Sequence, residues 1–101
     1  MWVMVMFDLP VNTKKSRRDY ARFRTYLLKQ GYLRLQFSVY ARPCPTEENA
    51  KVHENRIKRN LPPAGQVRML TITDAQFGRM RVFVGKKPTD TESGPKQLEF
   101  F

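Results

Sequence analysis

A chain of 101 residues has the length of one domain, and a domain this small hides only about 60–70% of its unfolded surface, so a dimer would help its thin core. Nineteen Lys and Arg against nine Asp and Glu leave a formal charge of +10, an excess that points to a polyanionic partner, nucleic acid first and an anionic membrane surface second. The single cysteine, Cys44, excludes an internal disulfide and a cysteine-rich metal site, and fits a reducing cytoplasm.

Residues 2–7, WVMVMF, are continuously apolar, with β-branched and aromatic members. That run suits a central strand buried on both faces. It is far too short to span a bilayer, and no basic stretch precedes it, so neither a targeting segment nor a membrane partner is expected. Pro10 ends the strand. Asn12 or Thr13 can then cap a helix running to about Gln30, with Gly31 as its stop. At 100° per residue Tyr20, Phe23 and Leu27 form an apolar stripe. Lys14, Lys15, Arg18, Arg22 and Lys29 gather opposite it, with only Asp19 to offset them. Like charges that close cost helix stability, so contact with phosphate is the expected reason for this face.

Residues 32–43, YLRLQFSVYARP, are strand formers, too many for one strand, and a bend near 36–38 is expected to split them. Thr46 caps a second helix, with Glu47 and Glu48 in its first turn and Arg56, Lys58 and Arg59 in its last turns, as the helix dipole favours. Ala50, His53, Ile57 and Leu61 share its apolar side, and the Pro-Pro-Ala-Gly run after Leu61 stops it. Residues 66–73 read as a strand, 74–78 as a turn or short helix, and 79–85 (RMRVFVG) as an extra strand. Residues 86–96 read as an extended tail, yet the chain closes on the apolar Leu98, Phe100 and Phe101. These form either a tail folded back on its own domain or a hook that adds to another chain. The order predicts an α+β, ferredoxin-like βαββαβ sandwich over residues 1–85 with a C-terminal extension over 86–101. Two helices would cover one sheet face, and the apolar other face would meet a second copy in a symmetric homodimer.

The chain holds no Walker loop, GxGxxG or HExxH motif. His53, the one histidine, falls on an apolar helix side and reads as a packed imidazole, and Cys44 between two prolines reads as structural. Asp8 is different, because a carboxylate at the C-terminal end of a central strand sits where such sheets open onto ligands. One carboxylate is a poor Mg²⁺ site. Two Asp8 carboxylates from a symmetric dimer, with waters and phosphate oxygens, would suffice, and the ion could then assist phosphodiester cleavage. The competing reading is a turn aspartate that accepts backbone N–H bonds ahead of residue 12, and the residues alone leave both open.

MWVMVMFDLP, the basic helix with YARFRTYLL, GYLRLQFSVYARPCP, the helix ENAKVHENRIKRNLPP and TITDAQFGRMRVFVGKKP together resemble CRISPR-associated protein 2, over nearly the whole chain. The closing QLEFF is similar to tails of members from type II systems. The resemblance implies a ferredoxin-like homodimer that sits between dimers of the integrase, CRISPR-associated protein 1, and holds a short DNA duplex during spacer acquisition. It also implies that Asp8 matches the metal aspartate of members described as metal-dependent nucleases on RNA or double-stranded DNA. Other members act as scaffolds only. On this reading Lys14, Lys15, Arg17, Arg18 and Arg22 contact phosphates without reading sequence, with Arg79 and Arg81 as further candidates. Leu98, Phe100 and Phe101 bind the integrase.

Three other readings compete. A toxin-type messenger RNA endonuclease acting alone shares the fold. An RNA-recognition domain would need a base-stacking RGFGFV-like strand, of which RMRVFVG is only an echo. A ligand-sensing domain sits badly with the charge unless its ligand is a nucleotide.

Overall fold

The computed structural model describes residues 1–93. In chain order its elements are β1 (Trp2–Asp8), α1 (Lys14–Lys29), β2 (Leu33–Gln36), β3 (Val39–Pro43), α2 (Glu47–Lys58), β4 (Gln66–Ile72), α3 (Asp74–Gly78), β5 (Val82–Val84) and β6 (Lys87–Thr89). The first four strands of that series form an antiparallel sheet in the order β2-β3-β1-β4, with β1 inside. This is the expected ferredoxin-like α+β arrangement, including the split of residues 32–43 into two strands.

Local chemistry sets the helix ends. Thr13 caps α1 by accepting from the Ser16 amide, and the Ser16 hydroxyl accepts from the Thr13 amide in return. Gly31 follows the helix with φ +88°, a conformation that glycine adopts without strain. Thr46 caps α2 in the same way, through the Asn49 amide. The second helix stops at Lys58, so Leu61 lies in the following loop and is half exposed rather than on the helix's apolar side. Pro62 and Pro63 cannot extend the helix to reach it.

β1 sends alternate side chains to opposite faces of the sheet. Val3, Val5 and Phe7 point to the helices and pack with Phe23, Leu27, Ala50, Ile57, Tyr32, Tyr40 and Cys44 in one buried cluster. Each large side chain buried there stabilises the fold by about 1.5–3 kcal/mol. Trp2 and Met4 point the other way, and that face is partly covered by the chain itself: Trp2 lies flat on Phe77 of α3, ring centroids 3.9 Å apart and 5° from parallel. The Met1 nitrogen ties the same corner by donating to the Asp74 carboxylate at 2.6 Å. Leu33 and Leu70 remain substantially exposed.

The strand expected over 79–85 is shorter and does not join the sheet. Val82–Val84 pairs instead with Lys87–Thr89, in a separate hairpin whose two-residue turn uses Gly85 at φ +63°. Part of what read as tail is therefore a strand. Residues 94–101, with Leu98, Phe100 and Phe101, lie outside the described residues. Among the described residues no helix is long and apolar enough to cross a membrane.

Candidate functional site

Asp8 is the last residue of β1, and the strand's alternation puts it on the face of Trp2, Met4 and Met6, away from α1 and α2. Gln66 stands directly opposite it on β4, and Arg68, opposite Met6, is its diagonal neighbour. The carboxylate is exposed, and among the described residues it takes part in no hydrogen bond or ion pair. The turn-capping alternative therefore does not describe it, since Thr13 performs that task for α1.

The backbone around Asp8 is held from both sides. The Phe7 amide donates to the Ser38 carbonyl at 3.1 Å, pinning the β2–β3 turn to the end of β1. On the other side Gly65 enters β4 at φ +91°, so close that a Cβ there would lie 2.7 Å from the Asp8 carbonyl oxygen. The sheet thus fixes where this carboxylate emerges. Among the described residues no three His, Cys, Asp or Glu side chains come together as a metal site. One carboxylate fits Mg²⁺, which takes one or two protein carboxylates and keeps its waters, only with a second donor from another molecule.

The basic residues of α1 divide into two groups. Arg17 donates to the Val11 carbonyl at 3.1 Å, and Lys15 pairs with Asp19 at 2.9 Å, so both brace the start of the helix. Lys14, Arg18 and Arg22 are exposed and have no such partner among the described residues. No acidic residue occupies the first turn of α1. Cations at that positive end of the helix dipole are unfavourable, so Lys14, which has no bracing contact among the described residues, is not explained by the helix's stability. Arg42 is structural: it donates to the Gln30 carbonyl at 2.8 Å, neutralising the C-terminal end of α1, and to the Pro43 carbonyl at 2.8 Å.

Arg79 and Arg81 are not brought to the α1 surface. They follow α3, on the opposite side of the sheet, where Arg81 borders a groove of about 180 Å³ with Met4, Leu35, Val82, Phe83 and Glu92. Phe37, which reads in the sequence only as a strand former, has a different place. It sits in the β2–β3 turn, 69% exposed, with the Arg34 guanidinium 5.2 Å from its ring centre and the Tyr20 ring 6.0 Å away. The signal available was an aromatic at the bend the sequence itself predicts.

His53 and Cys44 are packed residues. The His53 ring is buried with Nδ1 unpartnered, and burial, then Arg42 and Arg56, pull its pKa down, disfavouring the charged imidazole. Burial likewise pushes the Cys44 thiol up, against the lowering effect of Arg42, which leaves it unreactive.

Comparison with known proteins agrees with this architecture. The profile of the family described as "CRISPR associated protein Cas2" matches residues 1–80. A protein of Parvibaculum lavamentivorans named "CRISPR-associated endoribonuclease Cas2" is 54% identical over 101 residues, covering all of both chains. Proteins of the same name from Flavobacterium psychrophilum, 46% identical over all of this chain and 88% of the relative, and from Lacticaseibacillus rhamnosus, 47% identical over 89% of each, are similar too. An antiparallel sheet ending β1 on an exposed aspartate, a profile matched over residues 1–80 and a relative matched end to end lead to one conclusion: the chain belongs to the CRISPR-associated Cas2 family.

Proposed function

We propose that this protein serves CRISPR adaptation as a homodimer that holds duplex DNA beside the integrase, CRISPR-associated protein 1, and that paired Asp8 carboxylates give it a divalent-metal-dependent nuclease activity on RNA or DNA. The observation that carries the reading is Asp8 itself: exposed, unpartnered among the described residues and rigidly placed on the sheet face away from α1 and α2. The relatives' name, endoribonuclease, supports hydrolysis of phosphodiesters.

Asp8 from each of two copies would hold the ion, Mg²⁺ being the expected one, and it would supply Lewis-acid stabilisation of charge on phosphate oxygens. The chain's own residues do the rest. Lys14, Arg18 and Arg22 neutralise phosphates of a bound duplex without reading bases. The backbone contacts from Ser38 and Gly65 keep Asp8 fixed as the strand arrives. Leu98, Phe100 and Phe101 are assigned to the integrase contact, and co-purification of the integrase with a chain lacking residues 98–101 tests that assignment.

The decisive test compares wild type with Asp8→Asn, both checked for dimerisation. Cleavage of RNA and duplex DNA is measured with Mg²⁺ and with a chelator, beside spacer acquisition in cells that carry the integrase and an array. Loss of cleavage in the variant, with DNA binding retained, supports the metal role. Cleavage that survives Asp8→Asn sinks it. Acquisition that continues without cleavage makes the protein a scaffold in that pathway. Cleavage and growth arrest without the integrase would favour the solitary messenger RNA endonuclease.

A further inference from the structure

Phe37 has no part in the reading above, yet it is the most exposed aromatic ring among the large apolar side chains of the described residues. A ring left 69% exposed contributes little to the core. It is nonetheless anchored. Tyr20 lies 6.0 Å from it, Tyr20 meets Phe7 edge-on at 5.9 Å, and Phe7 is buried against Phe23 and Tyr40. A row of rings therefore runs from the core to the surface and ends on Phe37. A cation lies against it: Arg34 stands over the ring at 5.2 Å.

We propose that Phe37 is a stacking platform for one unpaired nucleotide of a bound RNA or frayed DNA strand, with Arg34 on a flanking phosphate. The inference rests on the nucleic-acid reading above and names what the bound strand must present. A base inside a duplex has both faces covered by its neighbours, so only an unpaired or terminal base has a face to give. A protein partner would call for apolar surroundings, whereas here a guanidinium stands against the ring. The turn that carries the ring is tied to the strand that carries Asp8. Ser38, the next residue, is bonded to the Phe7 amide, so the turn that carries Phe37 is pinned to the end of β1, where Asp8 emerges on the opposite face.

The test uses the full chain and oligonucleotides of one sequence carrying 2-aminopurine, as single-stranded RNA, single-stranded DNA and blunt duplex DNA. Phe37→Leu keeps apolar bulk and removes the π-face, and Phe37→Trp keeps a π-face. The expected result is an affinity for single strands about fivefold to a hundredfold weaker in Phe37→Leu, with duplex affinity unchanged. Quenching of 2-aminopurine is lost in that variant and kept in Phe37→Trp. The RNA and DNA arms identify which strand is the source. Equal single-strand affinities in wild type and Phe37→Leu overturn the platform, as does an equal loss on strands and duplex. A change of oligomeric state without an affinity loss assigns the ring to a protein contact and overturns it too. An Arg18→Ala/Arg22→Ala chain is titrated in parallel. If it loses duplex affinity while Phe37→Leu loses nothing, the platform fails and the nucleic-acid reading stands. If wild type binds none of the three, both fail.

Discussion

Gly65 and Asp8 approach each other more closely than any side chain would allow: a Cβ on Gly65 would sit 2.7 Å from the Asp8 carbonyl oxygen and 2.7 Å from the Leu9 side chain. The turn that feeds β4 is therefore wedged against the backbone that presents the carboxylate. Gly65→Ala meets both the backbone clash and the penalty of φ +91°, a strain of about 1–3 kcal/mol before any clash is counted. The expected outcome in urea denaturation is a stability loss of at least that size, accompanied, if the proposed role of Asp8 holds, by weaker cleavage. A variant of wild-type stability would show that the turn relaxes without cost.

Trp2 is the only tryptophan, and it lies on Phe77. Phe77→Ala empties the space against the Trp2 ring and is expected to cost about 3–5 kcal/mol. Tryptophan emission should shift to the red as the ring becomes wet. Unchanged emission and melting temperature would show that α3 is not what covers this face.

His53 links stability to acid. Its folded pKa lies below the ordinary 6.5 because burial, with Arg42 and Arg56, disfavours the charged ring. The unfolded chain takes up its proton at about 6.5, whereas the folded chain does so only at lower pH. This contribution is therefore fully present above about pH 6.5 and falls away as pH drops below that value. A melting-temperature series from pH 7.5 to pH 5, on the order of one to two units either side of the transition, should slope less steeply in His53→Gln than in wild type. Parallel curves would remove His53 as the cause.

Arg18 and Arg22 are exposed, and among the described residues neither is held by a protein partner. Replacing both with Ala should weaken duplex binding for all sequences alike and lower the slope of log K against log salt by about 2, one for each phosphate that an arginine no longer neutralises. Lys15→Ala should change that slope less, because Lys15 is already paired with Asp19. An unchanged slope in the double variant would remove α1 from the DNA face.

Much of this molecule was legible in the chain because helix caps, strand alternation and turns arise from residues a few positions apart. Thr13, Thr46 and Gly31 end the helices where the sequence places them, and the bend at 36–38 falls where a long strand had to break. The parity of β1 likewise assigns Asp8 to the face of Met4 and Met6, and the charge on α1 is plain from composition and a 100° wheel. Other features needed the folded chain. Trp2 finds Phe77, Phe7 finds Ser38, and Gly65 finds Asp8, all across separations that no local pattern encodes. Which of the α1 cations are engaged, Lys15 and Arg17, and which stay available, Lys14, Arg18 and Arg22, depends on the reach of each side chain to particular neighbours. The β5–β6 hairpin left the sheet because Gly85 turned the chain onto itself. Short-range propensity thus chose the elements, and packing between distant segments decided which surfaces they leave exposed.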